Sequence, residues 1–245
     1  MNWSDDGFVL GGRKFGEGGL VLDVLTAAHG RRAGLVYGGA SRARRAQYEP
    51  GNALRVSWTA RLEDQLGRFD VAELVTARAS SLFHAPDALA AIQTITAILR
   101  DVITEGDQAG SDLHGPTSLV LDALTDPDIW PALYVRWELG LLSALGFGLD
   151  LTACAVTGAT DGLTHVSPRT GRAVQGHAVP EYTGQLLPLP GFLTGTDPTP
   201  KPSEILDGLS LTGRFLTRRA YAPLNRPLPQ SRPRMITRLT HRLSG

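Results

Sequence analysis

The sequence predicts a multidomain α+β protein, with a small β-barrel over its first 80 residues and a largely helical remainder. Three observations carry that reading. Short apolar-polar alternations separated by glycines fill the first 80 residues. The apolar spacing changes to three and four residues from about residue 87 onwards. A Gly-, Thr- and Pro-rich stretch at 151–192 follows neither period.

Residues 6–10 are short and apolar, and glycine-rich 11–19 reads as a turn-rich connection. Residues 20–26 (LVLDVLT) alternate, and 33–37 continue after the His29-Gly30 turn. Residues 52–61 and 68–79 supply two further runs. About five short strands at this spacing suggest an OB-fold. Leu54, Val56 and Trp58 fall on one face of their strand, with Arg55 and Ser57 on the other.

Helices follow at 87–103, where Leu89, Ile92, Ile95, Leu99 and Val102 make a stripe with Asp87 placed to cap it. Residues 106–115 read as a polar surface loop, and 117–124 and 128–145 as helices. Leu133, Trp137, Leu141 and Leu145 form the stripe of the second. Residues 203–220 form a helix capped by Ser203 after a proline-rich linker at 194–202, and 234–243 a last short one. The expected domains are 1–80 (barrel), 81–153 (helical), 154–193 (irregular insert), and 194–245 (linker and basic helical tail).

The 245 residues carry 24 basic and 24 acidic side chains, so the net charge is zero, but the charges are segregated. Residues 1–60 hold eight cations and five acids, net +3; 61–208 hold eight and nineteen, net −11; 209–245 hold eight arginines and no acid, net +8. Basic blocks of this kind attract polyanions. No apolar run approaches the roughly 18 residues of a membrane span. The N-terminus lacks the pattern of a signal peptide. A single cysteine, Cys154, excludes an intramolecular disulfide, and a cytoplasmic location is expected.

Catalytic motifs are missing. GGRKFGEGG at 11–19 is not a phosphate loop, because no Ser or Thr follows Lys14. The six histidines are scattered, mostly in expected loops, and Asp5-Asp6 and Glu63-Asp64 read as solvent-facing pairs. Cys154 sits in an apolar triplet without a local base, so a buried structural thiol is expected. Cys154, His165 and His177 are spaced too widely to supply the close ligand pairs of a zinc site. No cofactor is expected, and no enzymatic activity.

A binding surface is better supported. Between Asp23 and Glu49 lie Arg31, Arg32, Arg42, Arg44 and Arg45 and no acid, interleaved with Tyr37 and Tyr48. Cations along a barrel groove with aromatic platforms suit single-stranded nucleic acid. The same pattern also describes a solvated charged loop. Arg13 and Lys14 join the candidate set from the preceding glycine-rich stretch.

Several stretches together resemble the RecO family of bacterial recombination mediators. They are GFVLGGRKFGEGGLVLDVLTAAHGRRAGLVYGGASR, PGNALRVSWTARLEDQL, WELGLLSALGFGLDLTACAVTG and NRPLPQSRPRMITRL, in that order along nearly the whole chain. VSPRTGRAV looks like the alphaproteobacterial branch. The resemblance implies an N-terminal OB-fold, then a helical domain with an embedded zinc-finger-like segment. It also implies binding of single- and double-stranded DNA, strand annealing, partnership with RecR, and contact with the acidic C-terminal tail of SSB. Where the family carries two CxxC pairs, Cys154 fills the first position and Thr157 stands where its partner would be. A metal-free insert is therefore expected. For the SSB tail the expected site is Arg214, Phe215, Arg218 and Arg219, with Phe215 and Leu216 lining an apolar groove.

Overall fold

The computed structural model describes residues 1–62, 65–195 and 199–244. The Glu63-Asp64 pair and the middle of the proline-rich stretch lie outside these residues. Five strands, β1 (Asn2–Phe15), β2 (Gly19–Thr26), β3 (Gly30–Val36), β4 (Ala53–Thr59) and β5 (Gly67–Thr76), close into a barrel of order β1-β2-β3-β5-β4. Every pairing is antiparallel except β3 with β5, which meet in parallel at Gly34 and Leu35. This is an OB-like barrel.

The first strand is longer than the sequence suggests. A register shift between Val9 and Gly11 lets its first half pair with β4 while the second half continues along β2 as far as Phe15. The glycine-rich stretch expected as a loop is therefore strand up to Phe15. Gly11 pairs with Asp23 and Lys14 with Leu20. Phe8, Val9 and Leu10 are all buried because both faces of β1 are covered there. Val9 enters the barrel core, and the Phe8 ring stacks on His114 at 5.4 Å.

Leu54, Val56 and Trp58 point inward as the alternation requires, packing with Leu22, Val24, Val36 and Phe69. The Trp58 indole donates to the Ala33 carbonyl at 2.9 Å. Gly67 makes room for it, since a Cβ there would fall 2.1 Å from the indole.

Two short helices, α1 (Arg42–Arg45) and α2 (Arg78–Ser81), precede the longer α3 (Pro86–Val102) and α4 (Gln108–Ala123). Asp87 is not the cap of α3; Pro86 opens that helix and Asp87 lies in its first turn. The expected polar loop at 106–115 is mostly helix. Asp107 caps α4 by accepting from the Ala109 amide at 3.1 Å, and Gly110 and Leu113 give the polar-looking segment a buried side. Asp5 is also less exposed than expected, because its carboxylate accepts from the Ala28 amide at 2.7 Å and meets the His29 ring at 3.1 Å. Burial is the largest single effect and pushes its pKa up, but the hydrogen bonds from Ala28, His29 and Asp6 together outweigh it and hold the pKa below the usual carboxylate value.

The chain divides into two compact units, Met1–Asp126 with Pro229–Met235, and Pro127–Leu228 with Ile236–Gly245. Helices α3 and α4 thus belong to the barrel's unit. The second unit holds α5 (Trp130–Ala144), a three-stranded sheet of β6 (His165–Val166), β7 (Ala173–Val174) and β8 (Leu187–Pro188), and helices α6 (Gly191–Thr194) and α7 (Pro202–Phe215). Helix α8 (Ser231–Ser244) begins in the first unit and ends in the second. Ser203 does not cap α7. The Glu204 carboxylate does, accepting from the Lys201 amide at 2.9 Å and the Gly191 amide at 3.0 Å. After Phe215 the helix widens into a π turn, Leu216–Tyr221. Glu138, fully buried on α5, accepts from Tyr134 at 2.7 Å and from Thr212 of α7.

Candidate nucleic-acid interface

A cleft of about 290 Å³ opens on the barrel, lined by Lys14, Arg45 and Arg100 with one acid, Glu49. Lys14 arrives because β1 continues past its glycines, and Arg45 because α1 turns back after the Gly38-Gly39 turn. Arg100 comes from the last turn of α3, far away in sequence. Gly11 lets it lie against β1, since a Cβ at that position would fall 2.7 Å from its guanidinium. Asp23 lies 3.5 Å from the Arg100 Nε, while the side chains of Lys14 and Arg45 have no ion pair or hydrogen bond among the described residues. Tyr48 forms part of the wall, its hydroxyl accepting from Arg44 at 2.8 Å and donating toward the Ala72 carbonyl at 3.4 Å. Burial raises its pKa, against the opposing pull of Arg44, so it stays protonated.

The seven cations expected for DNA divide by what already holds them. Arg13, Lys14, Arg42 and Arg45 are exposed. Arg44 donates to the Tyr37 carbonyl at 3.1 Å as well as to Tyr48, which fixes it to the barrel. Arg31 pairs with Asp23 at 3.1 Å and donates to the carbonyls of Arg100 and Ile103, both at 2.8 Å. Arg32 is buried beside the Trp58 ring, 5.9 Å from its centroid. Consecutive strand residues face opposite sides, so Arg13 lines a second, larger cleft with Arg31, Arg32, Asp23 and Glu105, where acids offset the charge. Arg100 has no counterpart among the sequence candidates.

In the second unit Arg214 and Arg218 are exposed, but Phe215 and Leu216 are buried and line no open groove. Arg219 lies over the Phe215 ring at 4.7 Å and donates to the carbonyls of Phe147 and Thr170. An acidic peptide would find charge there without the expected apolar pocket.

The insert does not offer a zinc site. Cys154 is buried, and its sulfur accepts from the backbone amides of Gln175 at 3.3 Å and Thr157 at 3.5 Å. Thr157 donates to the Gln175 side-chain oxygen at 2.8 Å, and the Gln175 amide nitrogen reaches the Asp161 carbonyl at 2.9 Å. Burial pushes the Cys154 thiol up, but these hydrogen bonds outweigh it and bring its pKa down to about 7. Among the described residues no three His, Cys, Asp or Glu side chains are grouped to hold a metal, and His165 and His177 are not gathered onto Cys154. One sulfur surrounded by amide donors is a hydrogen-bonded knot, not a tetrahedral ligand set. Dialysis against a strong chelator is expected to leave the thermal midpoint unchanged, whereas a structural zinc would unfold the insert on removal. Elemental analysis that finds one zinc per chain would contradict this reading.

Comparison with known proteins decides the family. Residues 1–78 match the model for the N-terminal part of recombination protein O, and residues 84–227 match the model for its C-terminal part. The chain is 61% identical over 240 residues to the DNA repair protein RecO of Hyphomonas neptunium, covering 98% of this chain and 99% of that one. It is 43% identical to those of Methylorubrum extorquens and Rhodospirillum rubrum, over 242 residues (96% of this chain, 97% of that one) and 246 residues (98% and 96%). The chain belongs to the RecO family. Its barrel fits the family's N-terminal part, and its place is among DNA repair and recombination proteins. No helix among the described residues is long and apolar enough to cross a membrane.

Proposed function

We propose that the chain is a non-enzymatic recombination mediator of the RecFOR pathway that binds single- and double-stranded DNA through the barrel cleft. In this reading it anneals complementary strands and helps load recombinase onto SSB-coated single strands, with RecR and the SSB tail as protein partners. The observation that carries it is the convergence of Lys14, Arg45 and Arg100 on one cleft whose lining holds one carboxylate, Glu49, with Asp23 meeting Arg100 from outside that lining. Backbone neutralisation of this kind leaves the bases free to pair, which annealing needs, and calls for no nucleophile.

The test is a titration with labelled single-stranded oligonucleotide at several salt concentrations. Binding whose logarithm falls linearly with log salt, at about 0.7 per phosphate contact, supports the reading. No binding at low salt, with retained binding of an acidic SSB-tail peptide, would turn the chain into a protein-interaction hub.

A further inference from the structure

The turn joining β6 to β7 gathers cations that the barrel cleft does not use. It spans residues 167–172 and is closed by the Gly171 amide donating to the Ser167 carbonyl at 2.9 Å and the Ser167 amide to the Arg172 carbonyl at 3.0 Å. Two arginines of the π turn anchor it. Arg218 donates to the Pro168 carbonyl at 2.9 Å, and Arg219 to the Thr170 carbonyl at 2.8 Å and the Phe147 carbonyl at 3.1 Å. Gly171, at φ +79°, permits the approach, because a Cβ there would lie 2.9 Å from the Arg219 guanidinium. Arg172 pairs with Asp150 at 3.3 Å. Arg169, exposed near the apex, makes no hydrogen bond or ion pair among the described residues.

Four guanidiniums therefore meet on one short turn, and Asp150 is the carboxylate paired there. Holding like charges together is unfavourable unless an anion compensates them, and the exposed Arg169 side chain makes no hydrogen bond or ion pair within the turn. We propose that this turn is a second phosphate-binding surface, contacting the backbone of a nucleic-acid strand through Arg169 and the outward side of Arg218. The proposal rests on the reading of the chain as DNA-binding and extends it to the second unit. Phosphodiester suits the turn better than an acidic peptide with an aromatic end. The peptide needs an apolar pocket beside the cations, and Phe215 and Leu216 are buried. A phosphate needs only the guanidinium fork.

The test compares salt slopes for labelled oligo-dT binding to the full chain. The variants are the pair Arg169→Ala with Arg218→Ala, the pair Lys14→Ala with Arg45→Ala, and the single Arg169→Glu, which removes no intramolecular bond. Without its two phosphate-facing arginines the turn is expected to bind with a slope lower by about 1.4, and Arg169→Glu to weaken binding severalfold with the fold intact. A slope unchanged by the turn variants but lowered by the barrel pair overturns the second surface and leaves the DNA reading standing. If neither changes, the DNA reading itself falls, and the proposal with it. If the turn variants lose only an acidic, aromatic-ended peptide, the surface belongs to protein, and the phosphate assignment is wrong.

Discussion

Replacing Lys14, Arg45 and Arg100 together by alanine is expected to lower the salt slope of single-strand binding by about 2, at roughly 0.7 per contact. A fourfold rise in salt would then weaken the variant about 16-fold less than the parent, so the difference in affinity is largest at low salt. The fold should persist, because exposed cations away from special features carry little stability. Arg100 is the partial exception, since it has Asp23 at 3.5 Å. Arg55→Ala is the matched control. That arginine is exposed on β4 and already paired with Asp6 at 2.9 Å, so its loss should leave the slope untouched. Equal effects of the triple variant and the control would remove the cleft from the binding surface.

Trp58→Ala is expected to destabilise the barrel by about 3–5 kcal/mol, as for other large-to-small changes at buried aromatic positions. The ring is almost wholly buried and stacks on Trp3 at 5.3 Å, and its loss leaves the Ala33 carbonyl without its donor. Against a typical total stability of about 5–15 kcal/mol this is a large fraction. Urea unfolding followed by circular dichroism measures it. A cost under about 1 kcal/mol would mean that the indole does not hold the barrel's interior together.

The barrel was legible because its strands obey their period where one face is solvated. Leu54, Val56 and Trp58 alternate with Arg55, and the pattern alone gives their direction. It failed where both faces are covered, or where pairing overrides composition. Gly11 and Gly12 read as loop residues, yet continuous pairing with Asp23 and Leu22 makes them strand. Residues 108–115 look like loop because their polar side is the one a sequence displays. Their buried side rests on Gly110 and Leu113, too few residues to show a period. Part of the candidate site was legible as a cluster of charge. Which cations are already bonded was not, because the partners of Arg31 include main-chain carbonyls about 70 residues away. Arg100 was hidden for the same reason. It lies in the acidic middle of the chain, and only the packing of α3 brings it to β1. Phe215 and Arg219 have the right types for a peptide groove, but tertiary packing turns one inward and ties the other to carbonyls.

The return of Pro229–Met235 to the barrel's unit has a consequence for how the chain is made. A nascent polypeptide reaches Asp126 well before it reaches Met235, and the missing piece includes the buried Arg232 and Met235. At about 5–20 residues per second, the barrel's unit waits roughly 5–20 s on the ribosome for its last segment. During that interval the barrel can close on its own strands, yet its unit is incomplete. Assembly of the first unit thereby waits on synthesis of residues 229–235, so loss of the residues from 229 onwards deprives both units at once.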